Sequence, residues 1–558
     1  MALPESDNVG IVKPNAARLS LVIAGICLAV FLAGMDQTIL ATAIPVISVE
    51  FDTSADFGWW SNAYLLTLSA FQLFYGKLYS LFPIKHVYLI AIVIFEIGSL
   101  VCTTAPTSIA LIIGRAIAGL GAARVFSGSV LILTKLIPLA QRAAYLGIMS
   151  AAFGLAAIVG PFLGAAILQS STWRWCFGIN LPLGAVTVVL CFFFVHTPVD
   201  PSVKSLSLVQ KSLQLDIPGT IFMAGSLICL LMALQWGGAT YPWSNGRIIA
   251  LFVVSGVLAC AFLATQMTSF VGKARTIPSS LARSRDVWLA GTYAICINGG
   301  VYVAVLFLPI WFQDVRGRSP LSSGEMLTPL VAGYVVASIV AGGITSGFKY
   351  YNPAMIIGTV LSVAGSALLT TINIRTSTAR VVGYQLVFGF GIGFGFGQPS
   401  YVVQTLLPAA DVPMGVTFIT LVQNLSASIF VAVAQSIFQG EMHKRLEPLL
   451  PRSPQNSSLL LAALPKILSS MPAEAQATSK GAISDSIIRT FYVALGLSCA
   501  SIIGALLVKW VPMRDPYKEQ NSGSLQSPNT QTDEKLGKTA PNVPGNQTSD
   551  SDGVNVEK

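Results

Sequence analysis

Charged side chains are scarce in this chain of 558 residues. Only 10% of the residues are charged and 53% are hydrophobic, whereas soluble domains carry about 25% charged residues. So few charges cannot cover the surface of a soluble protein, and an integral membrane protein is predicted. The formal net charge of +9 is attributed to basic loops at a membrane surface, and no nucleic acid partner is expected.

Motifs for catalysis and for nucleotide hydrolysis are missing as well. The three histidines form no HExxH pattern, and the eight cysteines form no Cys-x-x-Cys pair. The segment Gly537-Lys538-Thr539 resembles the end of a phosphate-binding loop, but Thr532 stands where the first glycine is required. The sequence therefore predicts no enzyme, no cofactor and no metal site, which leaves a transporter or a channel.

Long apolar runs are what the sequence has in abundance. A bilayer core of about 30 Å takes roughly 20 residues of helix. Charges, prolines and glycines divide the chain into fourteen such runs. Their even number puts both termini on one side, and roughly twice as many Lys and Arg on that side predict that it is the cytoplasm. The predicted spans are 19–45, 59–80, 86–104, 109–133, 143–169, 175–196, 216–236, 247–271, 287–312, 323–347, 352–372, 380–407, 413–440 and 490–512.

Three segments are predicted to lie outside the membrane. Residues 1–18 form a cytoplasmic N-terminal tail, and residues 441–489 form a long outer loop. Residues 513–558 are polar and are expected to be a disordered cytoplasmic tail. Asn456, in the sequon Asn-Ser-Ser on the outer loop, is the predicted glycosylation site.

Charged side chains inside the spans call for an explanation, since each is unfavourable by roughly 2.5–3.5 kcal/mol on insertion scales. At 1.5 Å per residue, Asp36 and Arg115 lie about 13 and 9 Å below the same membrane face. They are predicted to pair beside a cavity and to exchange a proton, with a static packing contact as the alternative. Glu96, in the third span, is either a second proton-handling group or a hydrogen-bonded structural one. Arg124 is expected to reach towards the membrane surface.

Glycine and proline patterns mark two further spans. In GLAAIVGPFLGA (154–165), the glycines permit close helix approach, and Pro161 removes a backbone donor, so this helix is predicted to pivot. In FGFGIGFGFGQ (388–398), alternate glycines fall on two nearly opposite faces of a helix, which predicts close packing on both sides. The candidates for lining a cavity in the second half are Asn298, Gln313, Gln398, Gln423 and Asn424.

Four segments together resemble one family, the drug:proton antiporters with fourteen spans in the major facilitator superfamily. They are MDQTILATAIP (35–45), GRAIAGLGAA (114–123), GLAAIVGPFLGA (154–165) and STWRWCFGINLPLG (171–184). The resemblance implies an all-α membrane fold of two six-helix bundles, 19–196 and 287–512, with two inserted helices in the linker 197–286. It also implies alternating access, with proton entry driving export. The implied site consists of Asp36 and Arg115 for coupling, and Gly154, Gly160, Pro161 and Gly164 for the pivot. Glu96 is added to the coupling residues from its charge inside the third span.

One segment departs from the family pattern. The family's loop between the second and third spans carries charges that clamp the two bundles together. GKLYSLFPIK (76–85) keeps Gly76 and Lys85 but has Ser80 for the aspartate and Ile84 for an arginine. Gly76 and Lys85 are therefore interpreted as the remnant of a gate, and the contacts that close the cytoplasmic side are expected elsewhere. Similar loops look typical of fungal members that export secondary metabolites or toxins.

The predicted function is proton-coupled export of small amphipathic molecules, such as a fungal secondary metabolite, toxin or drug. The expected partners are the substrate, protons and the lipid bilayer, and the protein is expected to be a monomer in the plasma membrane. Similar chains import siderophores or load basic amino acids into vacuoles, so both remain alternatives, the latter with a vacuolar location. A nutrient sensor that does not transport is the alternative from a different class.

Overall fold

Helices account for all the regular structure in the part of the chain that the computed structural model describes, residues 15–52, 57–197, 207–238, 241–267, 275–446 and 473–513. A helix satisfies its own backbone hydrogen bonds, which a chain crossing lipid requires. We name the long helices α1 to α14, some of which consist of two consecutive segments. They are Ala16–Glu50 (α1), Phe57–Ala70 and Gln72–Leu81 (α2), Ile84–Thr103 (α3), Ser108–Ala122 and Val125–Leu136 (α4), Leu139–Ser170 (α5), Trp175–Gly178 and Asn180–Phe194 (α6), Ile217–Trp236 (α7), Gly246–Met267 (α8), Arg285–Ile310 and Trp311–Val315 (α9), Pro320–Glu325 and Thr328–Phe348 (α10), Asn352–Thr370 (α11), Thr378–Phe396 and Gln398–Leu406 (α12), Val412–Leu446 (α13) and Ala473–Leu507 (α14).

Thirteen helices in the described ranges are long and apolar enough to cross a membrane. The second predicted span, α2, is not among them, because polar residues such as Asn62, Gln72 and Lys77 lower its mean hydropathy; it is also divided at Phe71. The Phe71 N–H still donates to Thr67 O, and its carbonyl accepts from the N–H of Tyr75, each at 3.2 Å. The hydrogen bonds of α2 thus continue through the division, and the second span is present as a distorted helix.

The ends of α13 and α14 differ from the prediction of a loop over 441–489. α13 continues to Leu446 and α14 begins at Ala473. Arg445 supports this extension through Glu441 at 3.2 Å and Asp485 at 2.9 Å. Hydropathy locates the edge of the membrane, whereas a helix can continue beyond that edge on polar contacts. Asn456 and residues 514–558 lie outside the described residues.

The helices pack as two bundles, α1–α6 and α9–α14, with α7 and α8 paired beside them. α7 contacts α2 of the first bundle and α13 of the second. The bundles meet mainly through α5 against α10 and α2 against α13. We call the end of the molecule where α1 begins and α14 ends the near end, and the opposite end the far end.

The glycines of α12 bring it close to three neighbours. A Cβ on Gly389 would lie 2.1 Å from Leu330 O of α10, and one on Gly391 would lie 2.2 Å from Ser362 N of α11. A Cβ on Gly395 would lie 2.5 Å from the Tyr293 hydroxyl of α9. The predicted close packing on two faces is confirmed, and it fixes α12 firmly within the second bundle.

Candidate functional site

A buried ion pair links α1 and α4. Arg115 Nη1 lies 2.5 Å from Asp36 Oδ2, and both side chains are almost wholly buried. Arg115 Nε also donates to the carbonyl of Trp60 on α2 at 2.9 Å, and its guanidinium carbon lies 4.3 Å from the centre of the Tyr64 ring. These contacts occupy the guanidinium on several sides, so Asp36 is held by a group that is itself fixed in place.

Asn180 completes the surroundings of Asp36. Its Nδ2 donates to Asp36 Oδ1 at 3.1 Å and to the Ser99 hydroxyl of α3 at 3.2 Å. Both Asp36 oxygens therefore have partners, and Asp36 is 0% exposed. The expectation of a pair beside an open cavity is wrong, because the pair lies within the first bundle. Asn180 was missed as a site residue, although it is the one polar residue in the run INLPLG that leads into α6.

Glu96 and Arg124, which also lie well inside the predicted spans, have different surroundings. Neither carboxyl oxygen of Glu96 has a hydrogen-bond partner among the described residues, and the carboxyl group packs where a Cβ on Gly184 of α6 would sit. Arg124 is buried, with its guanidinium carbon 3.6 Å from the centre of the Tyr75 ring and Nη1 donating to Val87 O at 3.3 Å. Arg124 does not reach the surface, so that prediction is wrong.

The predicted pivot residues of α5 face two different helices. A Cβ on Gly160 would lie 2.0 Å from Thr38 Oγ1 of α1, and one on Gly164 would lie 2.2 Å from Thr42 Oγ1. Gly154 instead faces the second bundle, with its Cβ position 2.6 Å from the Tyr334 ring of α10. α5 remains one helix through Pro161. It is therefore the element that contacts both α1 and the second bundle at glycine positions.

Glycines also let the bundles touch in the near-end half of α5. A Cβ on Gly147 would lie 2.5 Å from Ser338 O of α10, and one on Gly342 of α10 would lie 2.5 Å from Ala143 O of α5. Tyr401 of α12 adds a buried hydrogen bond from its hydroxyl to Ala143 O at 3.0 Å. These contacts close the near end without an ion pair between α5 and α10 in the described ranges.

The two residues interpreted as a gate remnant lie in different places. Gly76 of α2 approaches α13, since its Cβ position is 3.0 Å from Thr417. Lys85 instead donates to Phe192 O of α6 at 2.5 Å, so its contact lies inside the first bundle. Of the two, Gly76 is the residue at which the bundles meet.

The segment 275–283, which we call the strap, crosses the near end between the inserted pair and α9. The Arg275 carbonyl accepts from Lys77 of α2 at 2.8 Å, and the Ser280 hydroxyl donates to Asp411, just before α13, at 2.5 Å. Thr276 donates to the buried carboxylate of Asp216, next to the start of α7, at 2.9 Å. The strap thus connects both bundles and the inserted pair at the end that is closed.

A small cleft of about 10 Å³, with room for about one water molecule, lies between the bundles, roughly ten residues or about 15 Å along the helices from the near end. We call it the central cleft. Gln423 is the one residue predicted to line a cavity that does so here; Asn298 donates to Gln423 O at 2.6 Å, and Gln398 bonds within α12 and to Thr345. The lining residues are Phe126, Val130, Leu146 and Ser150 of the first bundle and Phe396, Gly397, Ser400 and Gln423 of the second.

Comparisons with known proteins agree on one family. Residues 26–431 match the family model described as Major Facilitator Superfamily. The thioclapurine efflux transporter tcpA of Claviceps purpurea is 42% identical over 493 residues, 88% of this chain and 90% of that protein. The efflux pump MFS1 of Trichophyton rubrum is 41% identical, covering 88% and 91% of the two chains. The efflux pump roqT of Penicillium rubens is 41% identical, covering 89% and 92%.

Solved structures share the fold. The proton:xylose symporter XylE, bound to 6-bromo-6-deoxy-D-glucose, superposes with a TM-score of 0.60 at 14% identity, over 91% of this chain and 100% of that one. The human organic anion transporter MFSD10 superposes with a TM-score of 0.52 at 15% identity, over 86% of this chain and 100% of that one. At such low identity the likeness concerns the fold alone.

Proposed function

Because this chain belongs to the Major Facilitator Superfamily, and is a multi-pass membrane transporter rather than an enzyme, we propose that it exports small amphipathic organic molecules in exchange for protons. The efflux names of the three fungal relatives support the direction, and the name of one, a thioclapurine transporter, supports a small organic substrate. The observation that carries the proton coupling is the buried pair of Asp36 and Arg115.

Proton entry acts on Asp36. A proton on either carboxylate oxygen cancels the charge that holds Arg115, which keeps its bond to Trp60 O and its contact with the Tyr64 ring. Loss of the proton restores the pair. The first bundle then has two arrangements of α1 against α4, and proton binding shifts their populations. Glu96, whose carboxyl oxygens have no hydrogen-bond partner in the part of the chain that the structure describes, is the second group able to take up a proton.

α1 carries this change to the central cleft. Gly34 lies two residues before Asp36, and its Cβ position is 3.1 Å from the Phe153 ring of α5. Phe153 in turn contacts Phe126, a residue that lines the cleft, with 6.3 Å between ring centres. A shift of α1 therefore moves the first-bundle wall of the cleft, while Gly160, Pro161 and Gly164 let α5 move against α1. Gly76 is the gate contact between α2 and α13.

The energy available is adequate for export. One proton crossing a potential of 100 mV supplies about 2.3 kcal/mol. At 1.4 kcal/mol per decade, this sustains roughly a 40-fold substrate gradient. The excess of basic residues on the loops of the near end supports a near end in the cytoplasm and a location in the plasma membrane, and protease access to tags at either terminus in intact cells tests that orientation.

The test is efflux of fluorescent amphipathic dyes from cells that express the protein. Export by the wild type is expected to collapse when a protonophore is added. Asp36→Asn, delivered to the cell surface at the same level, is expected to export no dye, because it cannot bind and release a proton. Asp36→Glu keeps a titratable group and is expected to keep measurable export.

Glu50→Gln is the matched control, since it removes a carboxylate at the exposed end of the same helix, where the side chain is 41% exposed. Its export should equal that of the wild type. Normal, protonophore-sensitive export by Asp36→Asn would assign the coupling elsewhere, with Glu96 as the next group to replace.

A further inference from the structure

One aromatic ring from each bundle lines the central cleft, Phe126 and Phe396. Phe126 of α4 meets Phe396 of α12 edge to face, with ring centres 6.2 Å apart and planes at 87°. Tyr334 of α10 meets the same Phe396 at 5.6 Å and 88°. The Phe126–Phe396 contact crosses between the bundles, so it breaks whenever they separate at this level.

The polar groups of the cleft are uncharged. Ser150, Ser400 and Gln423 line it. Next to them, the Tyr334 hydroxyl faces Ser150. Gln423 Nε2 donates to the carbonyl of Phe396 at 3.3 Å, a long bond. Hydroxyl and amide groups of this kind orient a ligand that carries its own donors and acceptors.

Asp36, Glu96, Arg115 and Arg124, the charged residues inside the first bundle, are not among the residues that line the cleft. Both oxygens of Asp36 are taken by Arg115 and Asn180, and the guanidinium of Arg124 lies over the Tyr75 ring. None of the described lining residues is charged. A permanent cation or anion entering the cleft would leave water without gaining a counter-charge, which is strongly unfavourable. A cation could gain only from ring faces, a smaller effect.

From these observations we infer that the substrate is an uncharged, planar aromatic molecule with at least one hydrogen-bonding group. When the bundles separate, the ring of the substrate takes the place that Phe126 and Phe396 hold for each other, so the lost ring contact is replaced. The inference rests on the proposed export function and adds to it the class of substrate.

Equilibrium binding to the full-length protein in lipid nanodiscs tests this class. The probes are acridone, a neutral tricycle with a carbonyl and an N–H, and N-methylacridinium, a permanent cation of similar size and shape. Acridone is expected to bind at least tenfold more tightly. Phe396→Leu is expected to weaken acridone binding by about two- to tenfold, the range of an aromatic pair. Gln423→Leu should weaken it by a similar factor.

Phe348→Leu is the matched control, since Phe348 is 69% exposed at the end of α10, and it should bind acridone as the wild type does. Phe126→Leu provides an independent second variant on the other bundle if Phe396→Leu fails to fold. Tighter binding of N-methylacridinium, equal effects of Phe396→Leu and Phe348→Leu, or no binding of either probe would overturn the substrate class. Acridone binding without proton-dependent dye export would leave the class standing and overturn the proposed export mechanism.

Discussion

At the scale of single residues, the pair of Asp36 and Arg115 has the largest consequences. Removing one partner of a buried ion pair leaves an uncompensated charge and costs about 3–5 kcal/mol, whereas replacing both partners by groups of similar size is often neutral. Arg115→Met is therefore expected to lower the thermal stability of the purified protein strongly. Adding Asp36→Asn should recover most of that loss without restoring export.

The wild type, the two single variants and the double variant form a double-mutant cycle. Thermal melts of these four proteins in the same detergent measure the coupling between the two residues. Additive losses, with the double variant less stable than either single one, would mean that the two side chains do not stabilise each other. Loss of export in the double variant, together with recovered stability, separates the transport role from the packing role.

The contacts of Glu50 at the far end predict that the stability of the protein depends on pH. Glu50 lies beyond the apolar span Ala16–Leu40. A hydrogen bond from Trp173 Nε1 at 2.5 Å, followed by Arg174 at 2.8 Å, holds the pKa of Glu50 below its ordinary value. A carboxyl group with a lowered folded-state pKa adds stability above its unfolded pKa of about 4.3, and this is lost as the pH falls through the folded value.

At pH 7 the wild type should therefore have a slightly higher melting temperature than Glu50→Gln. The difference in melting temperature should shrink below about pH 4.3. The effect is small because both partners are partly exposed. Melting temperatures of the two proteins at pH 7 and at pH 3.5 measure it. A difference that is constant with pH would show that Glu50 acts through packing rather than through its charge.

At the scale of elements, α5 and α10 determine how tightly the near end closes. Gly342→Val would place side-chain atoms where Ala143 O now lies, since even a Cβ would come within 2.5 Å of that oxygen. The helices must move apart, so faster hydrogen–deuterium exchange is expected in the near-end turns of α5, together with reduced export. At the neighbouring Gly343, no described atom outside the adjacent turns of α10 lies within 4 Å of the Cβ position.

Gly343→Val is consequently the matched control, with the same change one residue away, and its exchange should match that of the wild type. Equal exchange in the two valine variants would mean that the glycine contact does not hold the near end closed.

The sequence predicts those parts of this arrangement whose signal lies within one short stretch of the chain. The depths of Asp36 and Arg115 follow from helical rise alone, and the structure brings the two together. The alternate glycines of α12 likewise predict contacts on two faces, because the pattern and the geometry belong to one helix. In both cases a short stretch of sequence contains the information.

The sequence did not predict the aromatic rings of the cleft, because no short stretch of the chain contains the information. Phe126, Tyr334 and Phe396 come from three helices in two bundles, and no spacing rule relates positions so far apart in the chain. For the near end, the sequence predicts only that the closing contacts lie outside the loop 76–85. It does not predict the close approach of Gly147 to Ser338, because that approach depends on how α5 and α10 pack. Such contacts are fixed by packing between helices and not by any one of them.

At the scale of the whole molecule, the central claim is that substrate and protons move in opposite directions through one conformational cycle. The inserted pair contacts both bundles through α7, and the strap connects both to it at the near end. A shift of one bundle therefore changes the contacts of the other. The proposed proton site lies within the first bundle and the cleft lies between the bundles, so the proposed coupling requires a movement of α1 and α5.

Proton movement driven by substrate tests that claim most directly. Purified protein is reconstituted into liposomes that contain a pH-sensitive dye and have no pH difference across the membrane, and an exported dye substrate is added outside. Exchange requires protons to leave the lumen as substrate enters it. The lumen of wild-type liposomes should therefore become alkaline, while the pH inside Asp36→Asn liposomes should not change. Acidification of the lumen, or substrate entry with no change in pH, would contradict proton-coupled exchange.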